Sequence, residues 1–237
     1  MMETRDANAP KAAIIMLEDI SYAFNQTKKH ISKAAGDCNR TAEQITLIAV
    51  SKQQQEDRIE ASLSYGQRVF GENRVQEAHQ RWKERKKNYS DLSLHLIGPL
   101  QSNKVADAVR LFDVIHTVDR PKIATAISKE AKKQNKHIQC FIQVNTGEEP
   151  QKSGVLPGDL DNFIDFCKAE SNLEIMGLMC IPPLAEEAAI HFAFLNGLAS
   201  RNNLTGLSMG MSGDYEEAIK FGATHIRVGS ALFGSRN

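Results

Sequence analysis

An excess of charge is the first thing missing. Across 237 residues, 29 Lys and Arg balance 29 Asp and Glu, for a formal net charge of +0. A chain with no basic surplus has no general means of holding a polyanion along a surface, so a nucleic-acid partner is not expected. Long apolar runs are missing too. Stretches such as 45–50 and 175–181 fall far short of the roughly 18 residues a membrane span needs, so no membrane partner is expected either. The start, METRDANAPK, is polar and charged, and the apolar run at 12–17 is too short for the core of a secretion signal, which makes a cytoplasmic protein the expectation. Cysteine is sparse: Cys38, Cys140, Cys167 and Cys180 form no Cys-x-x-Cys pair and have no histidine at ligand spacing beside them. That argues against a structural zinc or a disulfide frame and for small buried hydrophobes. At 41% hydrophobic and 24% charged residues, the composition excludes disorder, collagen and coiled coil as descriptions of the whole chain.

What is present is an alternation of short β-branched or apolar runs with longer amphipathic ones, the pattern of βα units. Strands are expected at 45–50, 69–71, 94–97, 114–117, 138–145, 173–179, 206–209 and 225–228, with helices at 56–65, 73–87, 103–111, 120–134, 159–169, 185–200 and 215–221. Eight strands with helices between them fit a closed (β/α)₈ TIM barrel or a long doubly wound sheet. The barrel is favoured because about 250 residues is its usual size and because it leaves no sheet edges to protect. The segment after the eighth strand, 229–237, is short for a covering helix. The helix-like stretch 14–35 precedes the first strand and is placed to fill that gap. With no linker, repeat or low-complexity tract, 1–237 reads as one α/β domain.

In such a barrel, side chains alternate between the lumen and the outer helices, and the chemistry gathers at the C-terminal strand ends. In ITLIAVSK, Thr46, Ile48, Val50 and Lys52 share a face, which points Lys52 into the barrel mouth. A lysine held among apolar walls has its pKa lowered and becomes a nucleophile for carbonyls, although one that snorkels to the rim would merely stay wet. Arg227 shares a face with His225 and needs an acceptor; a structural ion pair with an acidic residue is the plain alternative. The segment GMSGDY (210–215), before a helix start, and Gly229-Ser230, after strand eight, offer backbone N–H groups where this fold usually binds phosphate, while Ser212 also suits an ordinary N-cap. An inward lysine opposite a phosphate cradle suggests a phosphorylated aldehyde, a description that pyridoxal 5'-phosphate (PLP) fits.

Motifs from the first strand onward carry a family resemblance: AVSK (49–52), GENRVQE (71–77), HLIGPLQSNK (95–104), VNTGEEPQKSG (144–154), GLMCIPP (177–183), LSMGMSGDYEEAI (207–219) and GATHIRVGSALFG (222–234). By these the sequence resembles the PLP homeostasis proteins, relatives of the barrel domain of bacterial alanine racemase. The resemblance implies a fold type III PLP-binding barrel with Lys52 carrying the coenzyme as a Schiff base. Ser212, Gly229 and Ser230 would hold its phosphate and Arg227 would face the pyridine nitrogen. Asn73 and His95 would line the pocket, with Met209 and Met211 packing near it. Two places depart from the family pattern: Arg74 stands where tyrosine is common, and Gln53-Gln54-Gln55 where a proline is common. Lys152 is a possible second amine near the mouth, better read as a solvated loop lysine.

The resemblance further implies a role in intracellular vitamin B6 homeostasis without catalytic turnover. An arginine that stays protonated and donates to the ring nitrogen makes the ring a poor electron sink. Racemases with such an arginine also use a second base from a further domain and a dimer partner, which a chain ending at Asn237 is expected to lack. Expected partners are PLP and PLP-dependent client apo-enzymes, and a monomer is expected over a dimer. The rival readings are a minimal racemase or lyase using His95 or a cysteine as second base, and a Schiff-base aldolase acting on a phosphorylated sugar.

Overall fold

A computed structural model describes residues 9–171 and 173–234 of the chain, with side chains from Met16 onward except that of Glu170. The polar start and the last residues of the sequence lie outside the described residues. The chain opens with α1 (Ala9–Gly36), followed by β1 (Thr46–Val50), α2 (Glu56–Tyr65), β2 (Val69–Glu72), α3 (Val75–Trp82), α4 (Arg85–Asn88) and β3 (Ser93–Leu96). It continues through α5 (Val105–Leu111), β4 (Val114–Val118), α6 (Pro121–Lys133), β5 (Gln139–Gln143), α7 (Leu160–Asp165) and β6 (Glu174–Met179). It closes with α8 (Ala188–Arg201), β7 (Gly206–Met211), α9 (Tyr215–Lys220), β8 (His225–Val228) and the short α10 (Ser230–Phe233). The strands form a closed parallel barrel in sequence order, with β8 returning to β1 in the register Thr46↔His225 and Ile48↔Arg227.

Strand alternation sorts the side chains into two layers. Outward residues such as Ala49, Phe70, Leu94, Ile115, Cys140, Ile142, Leu178 and Ile226 join the helices in the main apolar cluster, while Val114, Phe141 and Met179 form a separate group inside the lumen. α1 buries Ile20, Phe24, Thr27, Ile31, Ala34 and Ala35, the four-and-three spacing of one helical face. Its Phe24 stacks on Tyr65 of α2 at 4.9 Å and meets Phe233 of α10 edge-on at 6.4 Å. The N-terminal helix therefore covers the flank of the barrel that four-residue α10 cannot.

Two expected elements differ in detail. The helix expected over 73–87 begins only at Val75, because Asn73 is held against the next strand's exit, and it is interrupted by a turn at Lys83 and Glu84 before α4. The helix expected over 159–169 ends in a wide π-type turn over Phe166–Glu170.

Candidate functional site at the barrel mouth

The lumen face of β1 is Thr46, Ile48 and Val50, and the chain turns immediately beyond it, with Lys52 half-buried and Gln53 at a positive φ of 60°. This turn is clamped from outside the barrel. Arg81 Nη1 donates to the Ser51 carbonyl (2.9 Å) and Nη2 to the Gln54 carbonyl (3.0 Å). The same guanidinium donates to Oε1 of the fully buried Glu72 (3.0 Å), which also accepts from Ser51 Oγ (2.7 Å) and Trp82 Nε1 (3.0 Å). A buried carboxylate is tolerated only when paired and hydrogen-bonded; here its partners are the residues that fix the Lys52 turn.

On the neighbouring strands, β7 ends in a turn that needs glycine: Gly210 has φ +90°, and a Cβ there would lie 2.6 Å from that of Ala218. The turn brings Ser212 Oγ to the start of α10, where it accepts from the N–H groups of Gly229 (3.0 Å) and Ala231 (3.4 Å) beside the exposed Ser230. The Met211 N–H is bound by Asp214 Oδ1 at 2.5 Å. Backbone donors therefore converge between β7 and β8, next to the end of β1.

Arg227 lies between these groups in the chain order of the barrel, 4% exposed. Its Nη1 donates to Ser208 Oγ (2.8 Å) and its Nη2 to the Cys180 carbonyl (2.9 Å), and no carboxylate lies at ion-pair distance among the described residues. The ion pair weighed as its plain alternative is absent from that set. Beneath it the lumen is filled by histidines. His116 is 2.8 Å from Ser208 Oγ through Nδ1 and 2.9 Å from His95 Nδ1 through Nε2, and His95 Nε2 lies 3.1 Å from Ser93 Oγ. Burial pushes His95 down to about 3, with repulsion from His225 and Lys86 behind it. Burial, then repulsion from Arg227, pushes His225 down to about 4. His116 falls well below its ordinary value, again mainly through burial. All three rings are neutral at pH 7.

The other half of the mouth holds a cavity of about 310 Å³ bordered by Asn73, Gly98, Thr117, Gln143 and Lys152. Gly98 makes this possible, because a Cβ there would lie 2.2 Å from the Asn73 carbonyl oxygen. Asn73 Oδ1 is buried and has no hydrogen-bond partner. Lys152 is half-buried, paired with Glu149 at 2.6 Å and bonded to the Pro182 carbonyl at 3.3 Å, rather than a solvated loop lysine.

Of the residues singled out from sequence, Lys52, Arg227, Ser212, Gly229 and Ser230 come from three adjoining strands, β1, β8 and β7, and Asn73 from the next, β2. One differs from expectation. His95 is 3% exposed and reaches Arg227 only through His116 and Ser208, so it belongs to the layer beneath the mouth instead of lining it. Met209 has no exposed surface and sits in the main apolar cluster, so it shapes the site from behind, whereas Met211 is 36% exposed at the rim. The departures from the family pattern leave the centre untouched: Arg74 faces solvent and pairs with Glu77 (2.9 Å), and Gln53 and Gln55 are exposed. Sequence reading missed Ser208, His116, Glu72 and Arg81. The lumen histidines had a signal, since His95, His116 and His225 all lie at positions of lumen parity on their strands.

Residues 31–237 match the model of the alanine racemase N-terminal domain. The chain is 37% identical to a pyridoxal phosphate homeostasis protein of Escherichia coli strain K12, covering 93% of this chain and 98% of that one. It is 42% identical to a protein of the same name from Pseudomonas aeruginosa, covering 93% and 97%. The chain belongs to the pyridoxal phosphate homeostasis protein family. Among solved structures, PipY of Synechococcus elongatus with PLP bound is 38% identical with a TM-score of 0.74, covering 86% of this family member and 100% of PipY. Alanine racemase of Clostridium difficile, at 14% identity and a TM-score of 0.69, covers 92% of this chain and 57% of its own and shares the fold.

Proposed function

We propose that this protein binds PLP at the mouth between β1, β7 and β8 and holds it in a B6 reservoir from which client apo-enzymes are supplied, without turnover. The observation that carries the reading is the convergence of amide donors around Ser212 at the ends of β7 and β8, beside the β1 end that leads into Lys52, with a buried guanidinium between them that has no ion-pair partner among the described residues. These residues fit the coenzyme. Ser212, Ser230 and the amides of Gly229 and Ala231 suit a phosphate dianion, and Arg227 has donors to spare for a ring nitrogen. When bound, the group would supply an electrophilic aldehyde, and Lys52 would be the residue whose amine holds it. Asn73 Oδ1, buried and unpartnered, is a further acceptor at the edge of the same mouth.

Absence of turnover is supported by the state of the groups that a minimal racemase would need. His95 is neutral, buried and already hydrogen-bonded at both nitrogens. The thiols of Cys167 and Cys180 are pushed up to about 12 by burial, and that of Cys140 is raised likewise. None of these is poised as a second base near neutral pH. Action as a monomer in the cytoplasm belongs to the same proposal; no described helix is long and apolar enough to cross a membrane.

The test is a PLP titration followed by absorbance. The wild type is expected to shift the coenzyme's visible band at stoichiometric amounts and Lys52→Ala to leave it unshifted. Ser212→Ala should weaken binding on the order of tenfold, the loss of one hydrogen bond to a charged group. A Lys52→Ala protein that reproduces the wild-type spectrum overturns the assignment. Steady exchange of amino-acid α-deuterium well above the rate of free PLP replaces the reservoir with the racemase or lyase.

A further inference from the structure

Arg227, Ser208, His116, His95 and Ser93 make an unbroken series of contacts from the mouth toward the barrel floor, at 2.8, 2.8, 2.9 and 3.1 Å in that order. Such a series can in principle be polarised in either sense, because a serine hydroxyl and a neutral imidazole each both donate and accept. One end decides. A guanidinium has five N–H donors and no acceptor, so Ser208 Oγ accepts from Arg227. Ser208 is fully buried, and its other hydrogen-bonding neighbour among the described residues is His116 Nδ1. If His116 donated there, Ser208 would accept twice and its own hydrogen would be buried without an acceptor, the costly arrangement. Ser208 therefore donates to His116 Nδ1. The His116 proton then sits on Nε2 and is donated to His95 Nδ1, and the His95 proton sits on Nε2 and is donated to Ser93 Oγ.

Packing holds the rings in these orientations. Phe141 stacks on His116 with ring centres 4.5 Å apart and planes 15° from parallel, and meets His225 edge-on at 4.9 Å. His225 is itself held by Thr224 Oγ1 at 2.9 Å. A second proton on His95 or His116 is opposed by burial and by the neighbouring histidines, so the chain stays neutral while the guanidinium above it keeps its charge.

We propose that Ser208, His116, His95 and Ser93 form a one-way hydrogen-bond chain that positions the Arg227 guanidinium, with Ser208 and His116 as positioning residues that aim its remaining donors at an acceptor atom of a ligand in the mouth. The identity of that acceptor as the PLP ring nitrogen rests on the function proposed above; the chain itself does not. Both hydrogen bonds that Arg227 makes among the described residues are to uncharged acceptors, Ser208 Oγ and the Cys180 carbonyl. The guanidinium is thereby oriented with no carboxylate at ion-pair distance among the described residues, Asp214 acting on it only from further off, a condition in which a neutral ring acceptor or an anion gains from meeting it.

The experiment reads tautomers first. In ligand-free wild-type protein labelled with ¹⁵N-histidine, long-range ¹H–¹⁵N correlation spectra at neutral pH are expected to show His116 and His95 both protonated on Nε2 alone. Protonation of His116 on Nδ1, or of either ring on both nitrogens, overturns the chain whatever the ligand is. Ser208→Ala and His116→Leu then break the chain, whereas His116→Asn leaves an amide oxygen where Nδ1 stood. With PLP added, the two breaking variants are expected to lose affinity on the order of tenfold and to shift the bound chromophore's band, while His116→Asn retains both. A purely structural role leaves the band unmoved, and that result overturns the positioning assignment. Correct tautomers in a wild type that does not bind PLP uphold the chain and reject the function proposed above instead.

Discussion

Arg227 and the histidines beneath it divide the barrel interior into one permanent charge and three groups that burial keeps uncharged. The unfolded chain places no such restriction on those histidines: there they titrate near 6.5, about 3.5 units above His95 and 2.5 above His225 when folded. Their folded values lie below their unfolded ones, so the unfolded state binds more protons as pH falls. The stability they permit is complete above pH 6.5 and is lost progressively from there down to the folded values. Between pH 7 and pH 5 each contributes a loss of about 2 kcal/mol, at roughly 1.36 kcal/mol per unit. A marked fall in the urea midpoint over that interval is expected, well before most carboxylates titrate. Equal midpoints at pH 7 and pH 5 are incompatible with neutral rings in the lumen. At this scale the sequence was informative where parity alone decides. Arg227 follows His225 by two on β8 and is buried in the lumen as that spacing requires; β1 ends at Val50, so Lys52 lies in the turn just beyond the strand from which its parity was read. Ser208 and His116 were opaque because their meaning comes from a contact 92 residues apart in sequence.

Elements place the reactive residues by their ends, and the β1 end is the most heavily braced. Ser51, Gln54, Glu56 and Glu72 all take hydrogen bonds from one guanidinium, Arg81, projecting from the same face of α3 as the buried Ala78 and Trp82. Removing the guanidinium with Arg81→Met leaves Glu72 buried beside only Ser51 and Trp82. A loss of about 3–5 kcal/mol is expected in urea unfolding, as for other broken buried pairs, with faster proteolysis within 51–55. An unchanged midpoint would mean the clamp contributes nothing. All eight strands lie where apolar runs and turn residues put them, within one or two residues at most ends. The discrepancies arise where tertiary contact overrides local preference. Asn73 forms a bend and Arg74 stays extended instead of starting a helix because the Asn73 backbone packs onto Gly98, and the β4–β5, β5–β6 and β7–β8 pairings each contain a register shift that no short-range pattern encodes.

For the whole molecule, closure of the sheet brings the first strand beside the last, with the seventh one place further round. Lys52 and the Ser212–Gly229–Ser230 group, more than 150 residues apart in sequence, thereby become neighbours across the β8–β1 seam. α1 seals that seam from outside by packing on α2, α9 and α10. The barrel itself was legible from the count and rhythm of the strands, and the ligand class from a lysine and a glycine-flanked serine turn expected at strand ends, which the closed sheet places on adjoining strands and not across the barrel. The depth of each residue in the lumen was not, because stagger around a closed barrel is set by its shear and not by the sequence of any one strand; His95 lies a layer lower than its motif suggested for that reason. The most direct measurement is borohydride reduction of the protein incubated with stoichiometric PLP, followed by peptide mass mapping. The expected result is one phosphopyridoxyl adduct, on Lys52, lost in Lys52→Ala. A principal adduct on Lys152 or any other lysine, or none on the wild type, contradicts the account.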